Sequence, residues 1–178
     1  MKKQFILAGT GIIAITLLFF FGRTTEKKSP ITNVESVLNT QTFDIQRFIE
    51  SSKQNLTPAQ VLIVTKLENG ISRGDVPAQQ LQAYNSLANF WKDTAKLFEP
   101  YLFYVSKAAK LDNSEKSLTF AAQIFLEALR GEQDNSKLDW ETSEAISLFE
   151  NAIKLNPEND DLRIGLGSCY IYGKGRSG

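Results

Sequence analysis

Between Ala145 and Tyr170 the chain lays out one helix, its stop and the inner face of the next helix. Ala145, Phe149 and Ala152 recur at steps of four and three, the spacing that stacks side chains on one helix face. Lys154 falls off that stripe. Pro157 ends the segment, because its ring cannot continue an α-helix. Leu166, Gly167 and Tyr170 then follow as a large-small-x-x-aromatic step, in which the small residue lets two helices approach and the aromatic fills the gap beside it. Such a pattern commits the chain to α-helical hairpins. No single hairpin buries its apolar face alone, so hairpins stack.

The same logic extends toward the N-terminus. Thr32 and Glu35 form a capping box ahead of an apolar stripe of Val34, Leu38, Ile45, Phe48 and Ile49. Thr57, Pro58 and Gln60 supply an N-cap, a proline at the first helical position and a glutamine at the third. That helix is expected to carry Val61, Val64, Leu67 and Ile71 inward and to close at Gly70 and Gly74. Pro77 opens the next helix, with Tyr84, Leu87, Ala88 and Trp91 as its inner face at steps of three, one and three. Tyr101, Val105 and Ala108 are its counterparts on the partner helix, with Asn113 at the stop. Ser114 starts a second round with Leu118, Ala121, Ala122 and Phe125. From Ala122 to Ala145 the spacing is 23 residues where a regular repeat has about 12. The excess is assigned to a polar loop around Arg130–Ser136 and to lengthened helix ends.

These small-residue and aromatic positions, with proline or asparagine at the stops, resemble the tetratricopeptide repeat family, whose pattern is L-G-x2-Y, A-x3-F and P with a period of about 34 residues. The resemblance spans roughly 77–178. It also extends to membrane-anchored bacterial proteins of that family, through Phe90-Trp91-Lys92-Asp93 and Leu97-Phe98-Glu99-Pro100-Tyr101. It implies an all-α chain with an N-terminal transmembrane helix and an α-solenoid of hairpins. The divisions are anchor and linker at 1–29, helical lead-in at 30–76, and an array of about two and a half repeats at 77–178. The packing positions it implies are Tyr84, Leu87, Ala88, Trp91, Tyr101, Ala108, Ala145, Phe149, Ala152, Pro157, Leu166, Gly167 and Tyr170. With only a first helix begun after Pro157, the array is expected to need a cover at this end, supplied by further chain or by a partner.

Composition narrows the chemistry. The chain has 42% hydrophobic residues, no histidine and one cysteine, Cys169. Ser-His-Asp and Cys-His catalysis and histidine-ligated metals are thereby removed. No acid/base pair, nucleophile or metal cluster converges, so we expect no enzyme and no cofactor. Residues 30–178 hold 15 basic and 19 acidic side chains, a balance unsuited to nucleic acid. Glycines near Lys174 miss phosphate-loop spacing and read as a frayed helix end. Arg73-Gly74-Asp75 reads as a turn, and the Asn55-Leu56-Thr57 sequon as a helix cap. Cys169 reads as a small packing residue.

Lys2 and Lys3 precede an uncharged run from Gln4 to Gly22, closed by Arg23. As a helix the run spans roughly 28 Å, close to the hydrocarbon thickness of a bilayer. A cleaved signal peptide is the competing reading; the length of the run and the lack of an A-x-A-like exit favour an uncleaved anchor. Lysine and arginine balance across the run leaves orientation open by charge. The short tail before it places the body outside the cytoplasm, on an inner membrane.

In the resembled family, the first helix of each repeat lines a concave groove. Carried onto this chain, the groove positions are Gln82, Asn85, Asn89 and Lys92, then Lys116, Thr119, Gln123 and Leu126, then Asp161, Ile164 and Ser168. Amides and lysines there can hydrogen-bond an extended peptide backbone. The resemblance therefore implies a non-catalytic scaffold for a protein or peptide. The alternative is a structural subunit that self-associates through its helical faces.

Overall fold

Local side-chain chemistry sets several of the helix ends. The computed structural model describes residues 42–73 and 76–175. The described residues form seven α-helices and no strands, an all-α fold. Helix α1 (Ile45–Lys53) starts at Asp44, whose Oδ1 accepts from the Arg47 amide at 3.0 Å. Helix α2 (Pro58–Arg73) starts at the predicted capping box: the Gln60 amide donates to Thr57 Oγ1, and the Thr57 amide donates to Gln60 Oε1 at 2.9 Å. Helix α3 (Pro77–Asn89) has proline at its first position and runs directly into a π-helical segment, Phe90–Ala95. That segment ends at Lys96, held left-handed at φ 55°, where Leu97 donates back to the Trp91 carbonyl.

Helix α4 (Phe98–Asp112) stops at Asn113, also left-handed, a conformation asparagine tolerates better than most residues. Ser114 then caps α5 (Glu115–Gly131). Helix α6 (Asn135–Leu155) is the longest and is capped by Asp134. The excess spacing therefore resides in two long helices joined by residues 132–134, as expected. Asn159 caps α7 (Asp160–Cys169), and its side-chain amide also donates to Glu115, tying the α6–α7 connection to the start of α5. A π-helical turn, Tyr170–Lys174, completes the described chain.

Consecutive helices from α2 to α7 pack on one another, and the alternate pairs α4–α6 and α5–α7 also touch. Two cores result. One gathers Ile49, Val64, Leu87, Phe90, Trp91, Tyr101 and Tyr104; the other gathers Leu118, Ala121, Ala122, Phe125, Leu148, Phe149 and their neighbours. Full burial of one such large apolar side chain contributes about 1.5–3 kcal/mol.

The expected faces hold through Ala152. Leu87, Ala88, Trp91, Tyr101, Ala108, Ala145, Phe149 and Ala152 are buried, and Tyr84 is half-buried. Four readings need correction. First, α7 does not turn Leu166, Gly167 and Tyr170 inward. Its buried face is Leu162, Gly165 and Cys169; Leu166 is half-buried, Gly167 is exposed and Tyr170 is 43% exposed. Gly165 sets this face, because a Cβ there would lie 2.5 Å from the Phe149 ring, whereas one on Gly167 would meet nothing. Second, Pro157 is exposed: it stops α6 and does not pack. Third, α2 runs through Gly70 to Arg73, since Gly70 faces Ala83 without crowding it. Fourth, Val61 lies on the outer side of α2 and is exposed.

The stripe positions Val34 and Leu38, and the apolar run Gln4–Gly22, lie outside the described residues. Among the described residues, no helix is long and apolar enough to cross a membrane.

Candidate binding groove

Asn85, Asn89 and Lys92 follow one another at steps of four and three, on the side of α3 turned away from Leu87 and Trp91. They line a groove of about 440 Å³. Its second wall is α4, through Tyr101, Val105 and Ala108, and its third is the start of α5, through Ser117 and Phe120. The π-helical segment matters here. Its widened turn carries Lys92 past the end of α3 to stand 5.4 Å from the centre of the Tyr101 ring.

The groove has a polar direction. Lys92 and Tyr101 mark the N-terminal end of α4, and Asp112, its last residue, marks the other. From Tyr101 to Asp112 the helix rises about 16 Å, enough for roughly five extended residues. The Ser114 hydroxyl donates to Asp112 at 2.6 Å, and its bond and that of Ser117 hold the carboxyl below the usual carboxylate range. Asp112 is therefore a negative charge at neutral pH.

Between the ends, Asn85 and Asn89 each offer a donor pair and an acceptor. Phe120 stands on the rim with 58% of its surface exposed. An exposed aromatic beside exposed amides is the side-chain set that peptide-binding surfaces use, an apolar anchor with adaptable hydrogen bonds around it.

The remaining sequence candidates sit elsewhere. Gln82, Lys116 and Gln123 are exposed but do not line the groove. Thr119 donates its hydroxyl to the Glu115 carbonyl at 2.7 Å, and Ser168 donates to that of Ile164 at 2.9 Å, so both hydroxyls are spent within their own helices. Leu126 is half-buried against the second core. Asp161, Ile164 and Ser168 belong to α7, which contributes nothing to the groove lining. The one-residue shift of the α7 face also moves those three off the position the repeat pattern gave them.

Phe120 was missed by the sequence reading. Its signal was present, since it lies off the stripe of Leu118, Ala121, Ala122 and Phe125 and is large and apolar all the same. Elsewhere, Cys169 is buried, and burial pushes its thiol up to about 11, as suits an inert packing residue. Among the described residues, no group of histidine, cysteine or acidic side chains could hold a metal ion. No known protein family, curated protein or solved structure matches the chain.

Proposed function

We propose that the chain is a non-catalytic scaffold of tetratricopeptide-like hairpins, tethered to a membrane by Gln4–Gly22, which holds an extended peptide segment of a partner protein. The observation that carries this reading is the convergence of Asn85, Asn89 and Lys92 with Phe120 across one groove. The steps of three, one and three at Tyr84–Trp91, Leu118–Phe125 and Leu162–Cys169 support the repeat architecture. Lys92 at one end and Asp112 at the other give a bound peptide a preferred direction. A peptide with an acidic residue toward Lys92 and a basic one toward Asp112 fits best.

Replacing both Asn85 and Asn89 with alanine tests the reading. Capture of the partner protein should fall while the melting curve stays at wild type, because both side chains are exposed and away from the packed face. Unchanged capture removes the groove from the account. The tether has its own test: intact protein should stay with membranes after a carbonate wash, and release contradicts it.

A second reading, self-association, draws on Val61, Leu62 and Ile63, three consecutive apolar residues exposed on α2, with Leu62 at 70%. Sedimentation at increasing concentration separates the two. A monomer throughout favours the scaffold; a concentration-dependent dimer broken by Leu62→Lys favours assembly.

A further inference from the structure

Helices α4 and α6 meet along a polar seam. At one end Lys137 of α6 pairs with Glu99 of α4. At the other, Glu144 accepts from the Ser106 hydroxyl at 2.7 Å and from the Lys110 ammonium at 2.6 Å. Glu141 stands between them on α6, one turn from each. It occupies an apolar position, in step with Leu138 and Ala145, and only 2% of its surface is exposed. Its Oε2 is buried and has no hydrogen-bond partner.

An orphaned oxygen on a buried carboxylate is far more costly than one on a neutral carboxylic acid, since the ion loses its hydration with nothing in return. The surroundings point the same way. Glu99 from α4 and Glu132 from the connection into α6 oppose a third negative charge. Lys137, one turn back, favours it but is engaged with Glu99. On α5, Glu127 pairs with Arg130; on α7, Asp160 pairs with Arg163; Lys174 of the π-helical turn lies over the Tyr170 ring.

We propose that the α4–α6 seam is a proton-dependent latch, closed while Glu141 carries its proton and loosened when that proton leaves. Burial first, then Glu132 and Glu99, push the Glu141 carboxyl up to about 8. In the unfolded chain the same group ionises near 4.5. The folded state therefore holds a proton that the unfolded state releases, and stability falls as pH rises through that interval. Below it both states are protonated; above it both are ionised and the loss is complete. The latch needs no occupant in the groove, so its test is independent of the binding reading.

The test compares the full chain in detergent with Glu141→Gln, a neutral side chain of the same shape, by chemical unfolding from pH 5 to 9. Relative to the variant, the wild-type unfolding constant should rise about tenfold per pH unit up to pH 8 and then level off. At pH 8 the variant should be the more stable of the two. Parallel curves over the whole range overturn the proposal. Should the variant fail to fold, the wild type decides alone. With ¹³C-labelled glutamate, one side-chain carboxyl should titrate near pH 8. If every glutamate titrates below pH 6, the latch does not exist.

Discussion

The two cores on either side of α4 are built from different materials. The core of α1–α4 is aromatic: Phe90, Trp91, Tyr101 and Tyr104 fill it, and a polar stitch crosses it. Glu68 of α2 accepts from Lys53 of α1 at 2.8 Å and from the Tyr104 hydroxyl of α4 at 3.2 Å. The core of α4–α7 is a lattice of small residues against leucine and phenylalanine: Ala121, Ala122, Ala145 and Ala152 beside Phe125 and Phe149. Small residues let helices close up until no slack is left, so the second core has the tighter steric limits. The aromatic core packs large flat side chains along one side of α3 and α4 and leaves an open groove along the other. The groove thus lies against the aromatic core through Tyr101 and takes its third wall, Ser117 and Phe120, from the first helix of the alanine-rich half.

Mutations sharpen that contrast. Phe149→Ala should cost about 3–5 kcal/mol, since the ring projects from α6 against Gly165 of α7 and is fully buried. Gly165→Ala should cost about 1–3 kcal/mol by overpacking, because its new methyl would press into that same ring. Tyr104→Phe, in the aromatic core, should cost about 0.5–1.5 kcal/mol by removing one bond to Glu68, which keeps Lys53 and some access to water. Lys154→Ala should stay within about 0.5 kcal/mol, for its ammonium meets only Asn151 at the surface. Denaturant midpoints measure all four. If Gly165→Ala were neutral, the second core would lack the tight steric limits described, and if Lys154→Ala matched Phe149→Ala, the buried face of α6 would be misassigned.

The sequence carried the fold further than the site. Periodicity placed the small and aromatic positions from Leu87 to Ala152, because each sits on a face that burial repeats every three or four residues. Caps at Thr57 and Ser114 and the stop at Asn113 were legible because their chemistry is local. The α7 register was not. Gly165 and Gly167 are both glycines in an apolar run, and only the position of the Phe149 ring, fixed by another helix, selects between them. Val61 was misplaced for a similar reason: Val61, Leu62, Ile63 and Val64 are all apolar, and periodicity alone cannot tell which of them α3 covers. In the groove, Asn85, Asn89 and Lys92 came from the positions that the tetratricopeptide resemblance implies, away from the packed stripe. Phe120 showed only as a large apolar residue off the packed stripe; its place on the groove rim depends on α5 standing across α4 from α3. Glu141 was not singled out in the sequence, because its orphaned oxygen is a property of the packed seam.

The groove is the central claim, and site-specific photocrosslinking in native membranes tests it most directly. A photoreactive residue at Asn89 and, separately, at Phe120 should each label the same partner protein, while the same probe at Lys154 or Glu127, on exposed surface away from the groove, should not. Labelling of a common partner from both walls, with those two controls silent, is the predicted result. Equal labelling at all four positions, or adducts only to a second copy of the chain, would contradict the groove as a peptide site.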